Sequence, residues 1–331
     1  MILGAQPLLP WHKVSWEILN RARRSGRAPH ALLVTGPFGV GKRQLVERLA
    51  YSLLCSNPDE QGLACGKCRD CELLAAGTHP DYNKVGPDPQ SKSDEIKVDA
   101  VRCLAESDAL TAHRGGYKVI VLDPAQNMNA SSANSLLKTL EEPSPNTLLC
   151  LVCEQPGRLP ATIRSRCQEL KIPVPAEAEA LTWLRGQTDS PEVTILLRLA
   201  HGAPLRALVL ADEARLPQRD QAFAGFAEIA KGMRDPITEA AAWNKHEPAI
   251  LLDWLSGWVC DLLRLASGHP SPELTNPDKS VTLRSLAQGL DSAAGHRYLR
   301  RVLALRESEG GTINRLLLYE SLLVEWARIG S

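Results

Sequence analysis

Short apolar runs alternate with longer segments of helical periodicity through the first half of the chain. The apolar run Ala31–Thr35, for example, is followed by a glycine-rich turn and then by a helical pattern. Continuous apolar strands separated by helices are typical of a parallel sheet covered by helices on both faces. The pattern therefore predicts an α/β domain with strands at Ala31–Thr35, Tyr82–Val85, Lys118–Asp123, Leu148–Cys153 and Gln168–Ile172.

Helices are predicted between these strands. One begins at Lys42, a second covers Val98–Leu110, and a third covers Ala130–Glu142, where Pro143 stops it. After Ile172 the pattern contains no further strand.

A proline-rich junction opens the second half, and only helical periodicity follows it. A polar stretch near Arg215–Asp220 marks a further boundary within this helical part. We therefore predict three domains: an α/β domain at 1–172, a small helical domain at 173–212 and a larger all-helical domain at 213–331.

Composition excludes several classes of protein. The 331 residues include 38 Lys and Arg and 38 Asp and Glu, and this zero net charge argues against a DNA-coating protein, which has a marked basic excess. A hydrophobic share of 44% is too high for a disordered chain, and an aromatic share of 5% disfavours a stacking platform for single strands. No apolar run approaches the ~18 residues of a membrane helix and no export signal is recognisable, so we expect a cytoplasmic protein with no membrane partner.

The zero charge is an average over the chain. The segment from residue 13 to residue 48 contains eight Lys and Arg but only two Glu. Two interpretations stay open: a solvated helix face beside a glycine-rich loop, or a face that meets an anionic partner.

A phosphate-loop pattern lies between the first strand and its helix. Gly36, Gly39, Gly41 and Lys42 fit G-x-x-x-x-G-K-[ST], in which backbone N–H groups and the lysine surround an anion. Arg43 takes the place of the hydroxyl residue that ligates Mg²⁺, and a guanidinium repels a cation. The loop either binds nucleotide through Lys42 and its backbone without productive metal, or is a turn that binds nothing.

The end of the Lys118–Asp123 strand carries a second departure from an ATPase pattern. Asp123 is placed to hold Mg²⁺, but Pro124 occupies the position of the carboxylate that would polarise the attacking water. The hydroxyl residue and the carboxylate of the ATPase pattern are thus both replaced, at Arg43 and at Pro124. These two departures make ATP and Mg²⁺ binding doubtful and predict a domain without ATP hydrolysis.

Four of the nine cysteines are clustered at Cys55, Cys65, Cys68 and Cys71. Four thiolates with two-residue gaps match a closed structural Zn²⁺ site. Part of an iron–sulfur pattern, unliganded thiols and His79 as a rival fourth ligand are the alternatives.

The remaining cysteines carry no assignment. Cys150 and Cys153 share a strand, where a spacing of three puts them on opposite faces. Cys103, Cys167 and Cys260 are interpreted as small buried apolar residues.

Several motifs resemble one family. The segment Asn134–Pro143 resembles the signature helix of bacterial clamp-loader AAA+ subunits, and Thr162–Cys167 resembles their Ser-Arg-Cys motif. Gly77–Asp81 and the four-cysteine insert fit the same subunits. Together with the altered ATP motifs, these segments are most similar to the delta-prime family of the bacterial DNA polymerase III clamp loader.

This resemblance implies an AAA+ module, a small helical lid and an all-helical collar. It implies a hetero-oligomeric ring with delta and gamma/tau subunits, within the DNA polymerase III holoenzyme, that loads the sliding clamp onto primed DNA. The subunit itself would be a stator without independent catalysis. A label of DNA-directed DNA polymerase, a nucleotidyltransferase, would belong to the holoenzyme.

The resemblance also implies roles for single residues. Arg166 of the Ser-Arg-Cys motif would act as an arginine finger toward a neighbouring subunit's ATP, a contact that is worth ~10³–10⁵ in rate elsewhere. The sensor arginine of ATP-using relatives maps to Leu205, and Arg206 lies one residue later. A shift of one residue turns a helical side chain by ~100°, so a sensor role for Arg206 is doubtful.

Two other functions remain open at this point. Lys42 and Asp123 would fit an active ATPase similar to the gamma/tau subunits. The cysteine insert and the basic residues Arg21–Arg27 would fit a zinc-dependent nucleic-acid binder.

Overall fold

A computed structural model describes residues 7–88, 91, 93–101, 112, 116–211, 215–269, 272–307 and 314–330. The chain forms two compact units, one up to Glu179 and the other from Ala180. The division into three domains stays a prediction. Residues 98–101 are helical, whereas the remainder of the predicted Val98–Leu110 helix, including Cys103, lies outside the described residues.

The first unit contains a five-stranded parallel sheet with the strand order β2-β3-β4-β1-β5. The central strands are fully buried and the edge strands are not, which is why the central sequences are mostly apolar, with polar residues only at their ends (Thr35, Lys118 and Thr147). All five predicted strands are present, shifted by at most one residue at their ends. They are β1 (Ala31–Thr35), β2 (Tyr82–Val85), β3 (Lys118–Leu122), β4 (Thr147–Cys153) and β5 (Gln168–Lys171).

Helices cover both faces of this sheet, as predicted. Leu33, Ile120 and Leu149 pack with Ala133, Leu136 and Leu140 of the fourth helix. The second helix contacts β1, β3 and β4. The described helices of this unit are α1 (Lys13–Arg24), α2 (Lys42–Leu54), α3 (Arg69–Ala75), α4 (Ala130–Glu141) and α5 (Ala161–Arg164).

The described part of the second unit is helical throughout. The polar stretch Arg215–Asp220 forms the beginning of a sixteen-residue helix, and its role as a domain boundary stays a prediction. The helices are α6 (Glu177–Arg185), which begins just before the unit boundary, α7 (Val193–Leu199), α8 (Pro204–Leu210), α9 (Arg215–Ala230), α10 (Pro236–Trp243), α11 (Pro248–Ala266), α12 (Ser280–Ala287), α13 (Ser292–Glu307) and α14 (Arg315–Gly330).

Aromatic side chains fill the larger core of this second unit. The rings of Phe226 and Trp326 are stacked, with centroids 4.2 Å apart and planes 9° from parallel. The indole of Trp326 also donates to the Phe226 carbonyl oxygen at 2.9 Å. A separate apolar cluster joins α6, α7 and α8.

Buried polar groups also tie the helices of this unit together. Arg219 of α9 is 1% exposed and donates to both carboxylate oxygens of Asp278, at 2.9 and 3.1 Å, and to the Asn276 side chain at 2.7 Å. The fully buried Asp261 accepts from the backbone N–H groups of Thr275 and Asn276. This network fixes the proline-rich segment before α12 against α9 and α11.

Among the described residues, no single helix has the length and apolar composition of a membrane span. The pair α7 and α8 meets those two criteria only when the helices are taken together, and the pair is bent by 111°.

Candidate functional site: the phosphate loop, the Ser-Arg-Cys segment and the cysteine cluster

The loop between β1 and α2 has the backbone of a phosphate loop. Gly39 and Gly41 both have a φ of +86°, and Gly41 directly precedes the first residue of α2. A Cβ atom on Gly36 would lie 2.3 Å from the Ile172 carbonyl oxygen. Glycine is therefore required here by conformation and by space.

Two side chains from the turn at Pro10–His12 hold this loop. Trp11 Nε1 and His12 Nε2 both donate to the Val40 carbonyl oxygen, at 2.9 and 2.8 Å. Since a carbonyl oxygen only accepts, the His12 proton is on Nε2. Burial lowers the pKa of His12 to about 4 despite the hydrogen bond to Val40, so the ring is neutral at pH 7. This clamp joins residues 28 positions apart, and no sequence pattern indicated it.

Lys42 points back into its own loop. Its side chain is buried, and its ammonium group donates to the Pro37 carbonyl oxygen at 2.7 Å. A carboxylate oxygen of Glu154 lies 3.7 Å from Lys42 Nζ. Burial lowers the Lys42 pKa, while Glu154 and Asp123 act in the opposite direction. Glu154 was missed from sequence, although a charged residue directly after a buried strand was an available signal.

Arg43 and Asp123 form an ion pair between the guanidinium Nε and a carboxylate oxygen. The Asp123 side chain is 5% exposed and that of Arg43 is 58% exposed, so the arginine covers the carboxylate from the solvent side. The hydrogen bond to Asp123 raises the pKa of Arg43. The structure thus brings together Arg43 and Asp123 of the altered ATP pattern, and the carboxylate that would hold a metal is engaged by a cation of its own chain.

Arg166 lies directly after α5 and Ser165, on the surface of the first unit. Its Nη1 donates to the Thr162 carbonyl oxygen at 3.0 Å, and its Nη2 lies 2.7 Å from a carboxylate oxygen of Glu141. The side chain is 37% exposed. Within the described residues, no contact links Arg166 to Lys42, Arg43 or Asp123.

The four clustered cysteines converge on one point. Their Sγ atoms all lie within 4.8 Å of one another, with 3.8 Å between Cys55 and Cys68 and 4.0 Å between Cys65 and Cys71. A tetrahedral ion with sulfur ligands at about 2.3 Å requires sulfur separations of about 3.8 Å. The donor set therefore fits a metal ion, as the spacing predicted.

Backbone N–H groups donate to two of these sulfurs. Cys55 ends α2 in an extended conformation, and its Sγ accepts from the N–H groups of Asn57 and Cys65 at 3.4 and 3.3 Å. Cys68 caps α3 and accepts from the N–H group of Cys71 at 3.4 Å. Burial opposes ionisation of Cys68, but the N–H groups of Cys71 and Ser56 prevail and lower its pKa to about 6.

His79 is not one of the clustered ligands. Its Nδ1 accepts from the Asp81 N–H group at 3.1 Å, and its Nε2 lies 3.5 Å from a carboxylate oxygen of Asp70. Ser56 also donates to Asp70. His79 therefore supports the cysteine insert through the Asp70 carboxylate that it shares with Ser56.

The other cysteines follow their predictions in part. Cys150 and Cys153 are both fully buried on β4, and Cys153 belongs to the α4 side of the sheet, so the opposite-face prediction is confirmed. Cys167 and Cys260 are only half-buried, and Cys167 packs against the margin of the core on the α4 side of the sheet.

Arg206, one position beyond the expected sensor residue, is engaged inside the second unit. Its guanidinium pairs with Asp253 of α11, and the same carboxylate lies 3.0 Å from Arg306 of α13. The arginine is therefore used to join α8 to two neighbouring helices.

Comparison with known proteins gives consistent matches over nearly the whole chain. A family model described as "DNA polymerase III, delta subunit" matches residues 11–176, and its C-terminal counterpart matches residues 213–328. The DNA polymerase III subunit delta' of Pseudomonas aeruginosa is 39% identical over 97% of this chain and 98% of its own length. The Escherichia coli subunit of that name is 34% identical over 95% of this chain and 94% of its own length. A solved gamma subunit-related protein of Thermotoga maritima covers 96% of this chain and 99% of its own, at 14% identity and a TM-score of 0.48. The chain belongs to the delta-prime family of DNA polymerase III subunits.

Proposed function

We propose that this chain is a stator subunit of a DNA polymerase III clamp loader. It assembles with other clamp-loader subunits and takes part in placing a sliding clamp on primed DNA, but it does not hydrolyse ATP itself. Its membership of the delta-prime family supports the assembly. The ion pair between Arg43 and Asp123 is the observation that carries the absence of hydrolysis.

The chemistry of the Arg43–Asp123 pair supports the absence of ATP hydrolysis. Mg²⁺ requires oxygen ligands in a nearly octahedral arrangement, and phosphoryl transfer relies on it to neutralise charge on the phosphates. Arg43 supplies no oxygen, repels a cation and engages Asp123, so the residues present do not fit the metal. Pro124 supplies no base for a water molecule. Phosphates in this loop would meet Lys42 and backbone N–H groups only.

We propose that Arg166 acts on a neighbouring subunit instead of on its own site. Its guanidinium is partly exposed and held by one backbone oxygen and one half-exposed carboxylate. Exposed ion pairs contribute only about 0–1 kcal/mol to stability. Glu141 therefore orients Arg166, and the pair is weak enough for the arginine to exchange it for a stronger anionic partner. A guanidinium that reaches a transferring phosphoryl group stabilises its charge.

We also propose that the cysteine cluster holds one structural Zn²⁺. Four sulfur ligands leave no open coordination position, which is typical of structural sites. Zinc there would fix the segment between α2 and α3, with Cys55, Cys65, Cys68 and Cys71 as ligands.

Reconstitution with the motor subunits tests the proposal. Arg166→Ala is expected to slow hydrolysis at the one facing ATP site by ~10³-fold, so that total DNA-stimulated turnover falls by the share of that site. The matched control is Arg164→Ala, which removes an exposed arginine two residues away in α5. Equal turnover for the Arg166 and Arg164 variants would contradict the assignment.

The alternative is an active ATPase similar to the gamma/tau subunits, favoured by the presence of Lys42 and Asp123. ATP hydrolysis by the purified chain, abolished by Lys42→Ala, would establish that alternative. We expect no hydrolysis above the level of the Lys42→Ala variant.

A further inference from the structure

Helix α13 carries a row of basic side chains on its exposed surface. His296, Arg297, Arg300 and Arg301 are all exposed, and they repeat at intervals of three and four residues along one side of the helix. We call these four residues the α13 stripe. Tyr298, between them in sequence, and Val302, directly after Arg301, are fully buried.

The stripe is poorly compensated by acidic groups. No Asp or Glu occurs between Ser292 and Arg306, so α13 has no internal acid–base pairs over that length. Arg301 pairs with Glu325 of α14. Within the described part of the chain, no hydrogen bond or ion pair engages Arg297 or Arg300.

This arrangement opposes the stability of the helix. Arg297 and Arg301 are four residues apart, and like charges at that spacing repel each other. The cations stand in the middle of a sixteen-residue helix, where the helix dipole gives them no compensation.

The basic cluster of α1 has a simpler explanation. Arg21, Arg23 and Arg24 occupy the last turn of that helix, where cations interact favourably with the dipole. Arg23 also donates to the Asn20 side chain at 3.1 Å. The α1 cluster therefore needs no partner, whereas the α13 stripe lacks both forms of stabilisation.

We propose that the α13 stripe binds the phosphodiester backbone of nucleic acid through Arg297 and Arg300. The planar guanidinium group matches a phosphate with two parallel hydrogen bonds, and a polyanion relieves the repulsion along the helix. An acidic protein segment fits less well, because protein interfaces centre on buried aromatic or large apolar anchors, and the exposed positions of α13 include one leucine and no aromatic ring. The contact is independent of the ATP site and of Arg166, since neither contributes to the stripe.

Salt titrations of the full-length chain on a fluorescent DNA duplex test the proposal. Each neutralised phosphate contributes about 0.9 to the slope of log K against log salt concentration. Arg297→Gln combined with Arg300→Gln is expected to reduce that slope by about 1.8 and to weaken binding about tenfold or more at low salt. The matched control, Arg21→Gln with Arg24→Gln, removes the same charge from α1 and is expected to keep the slope.

We expect the slope and the affinity for duplex to fall in the α13 variant alone, and to recover when residues 297 and 300 are both lysine. If both double variants lose the same slope and affinity, the effect is due to net charge alone and the proposal is overturned. An unchanged slope in the α13 variant would also overturn it. Failure of the parent chain to bind duplex at low salt would also overturn it. Binding of poly-L-glutamate that depends on Arg297 and Arg300 without duplex binding would assign the surface to acidic protein segments instead.

Discussion

Arg43 stands where the phosphate-loop pattern has a hydroxyl residue, and the backbone around it has the conformation that a phosphate loop requires. Gly39 and Gly41 keep their left-handed conformations, and Lys42 still begins α2. What differs is the charge at the loop: the guanidinium pairs with Asp123, the carboxylate that would otherwise be available to a metal. Arg43 thus differs from the pattern in its charge, while the glycine conformations that the pattern requires are present.

We predict that Arg43→Thr creates Mg²⁺-dependent nucleotide binding. The substitution supplies a hydroxyl ligand and releases Asp123, while Lys42 and the glycines remain. Fluorescent ATP analogues titrated with and without Mg²⁺ measure the change, and about a tenfold difference in Kd corresponds to one recovered interaction of about 1.4 kcal/mol. Arg43→Met removes the charge without adding a ligand and is the control. If both variants respond alike to Mg²⁺, the ion pair does not account for the missing metal.

We predict that His12 makes the first unit less stable in mild acid. Its pKa is about 4 when folded and 6.5 in its ordinary range, so the unfolded chain takes up the extra proton. The stability contribution is complete above about pH 6.5 and is lost as the pH falls toward 4, with about 2 kcal/mol lost by pH 5. Urea unfolding at pH 7.5 and pH 5 is expected to show a smaller difference for His12→Gln, whose amide can still donate to Val40. An identical pH difference in both proteins would exclude His12 as the source.

At the scale of secondary-structure elements, helix α9 has a polar sequence at its beginning but buries one of those polar side chains. Its first turns contain four charged or amide side chains and no apolar stripe, yet Arg219 is buried against Asp278 and Asn276. The two Nη groups of the arginine are paired with residues from the segment before α12, 57 and 59 positions later in the chain. A helix end that looks solvated in sequence is therefore part of an interior network.

We predict that Arg219→Met strongly destabilises the second unit. The change leaves Asp278 and Asn276 without their buried partner, and breaking one side of a buried ion pair costs about 3–5 kcal/mol. Arg215→Met in the same helix removes an arginine that has no ion pair among the described residues, and it is expected to change stability by less than about 0.5 kcal/mol. Urea unfolding followed by tryptophan fluorescence compares them, and equal midpoints would refute the prediction.

The same elements show which features were predictable from sequence. The five strands and the cysteine cluster could be found because their signals are local: continuous apolar runs, and thiols within a span of seventeen residues. The Val40 clamp, the Glu154 position and the Arg219 network could not be found, because each joins residues far apart in the chain. Arg43 and Pro124 were recognisable as departures from a pattern, but the pairing of Arg43 with Asp123 required coordinates.

At the scale of the whole molecule, the two units differ in what stabilises them. The first combines an α/β core with a cysteine cluster, and the second has a large aromatic core without clustered metal ligands among its described residues. Tryptophan is unevenly divided as well. Trp11 and Trp16 belong to the first unit, and the second contains Trp183, Trp243, Trp254, Trp258 and Trp326.

We predict that removal of metal affects the first unit alone. Chelation under reducing conditions is expected to lower its thermal midpoint by several °C, since a shift of about 2–4 °C accompanies each kcal/mol in a unit of this size. Calorimetry and far-UV circular dichroism detect the loss, while tryptophan fluorescence, which reports mainly on the second unit, stays nearly constant. Cys68→Ser is expected to reproduce the chelated state and Cys167→Ser to keep one metal per chain. A parallel fall of both transitions would contradict this division.

The pairing of Arg43 with Asp123 determines how the charge at the phosphate loop depends on nucleotide and metal concentrations in the cell. The occupancy of a bound nucleotide and its metal follows their concentrations by mass action. Two side chains of the same chain have no such dependence, because their effective concentration is set by the fold. The charge balance beside α2 is therefore the same at high and at low energy supply. For the stator that we propose, this pair would supply a charge that stays constant while neighbouring subunits pass through their ATP cycles.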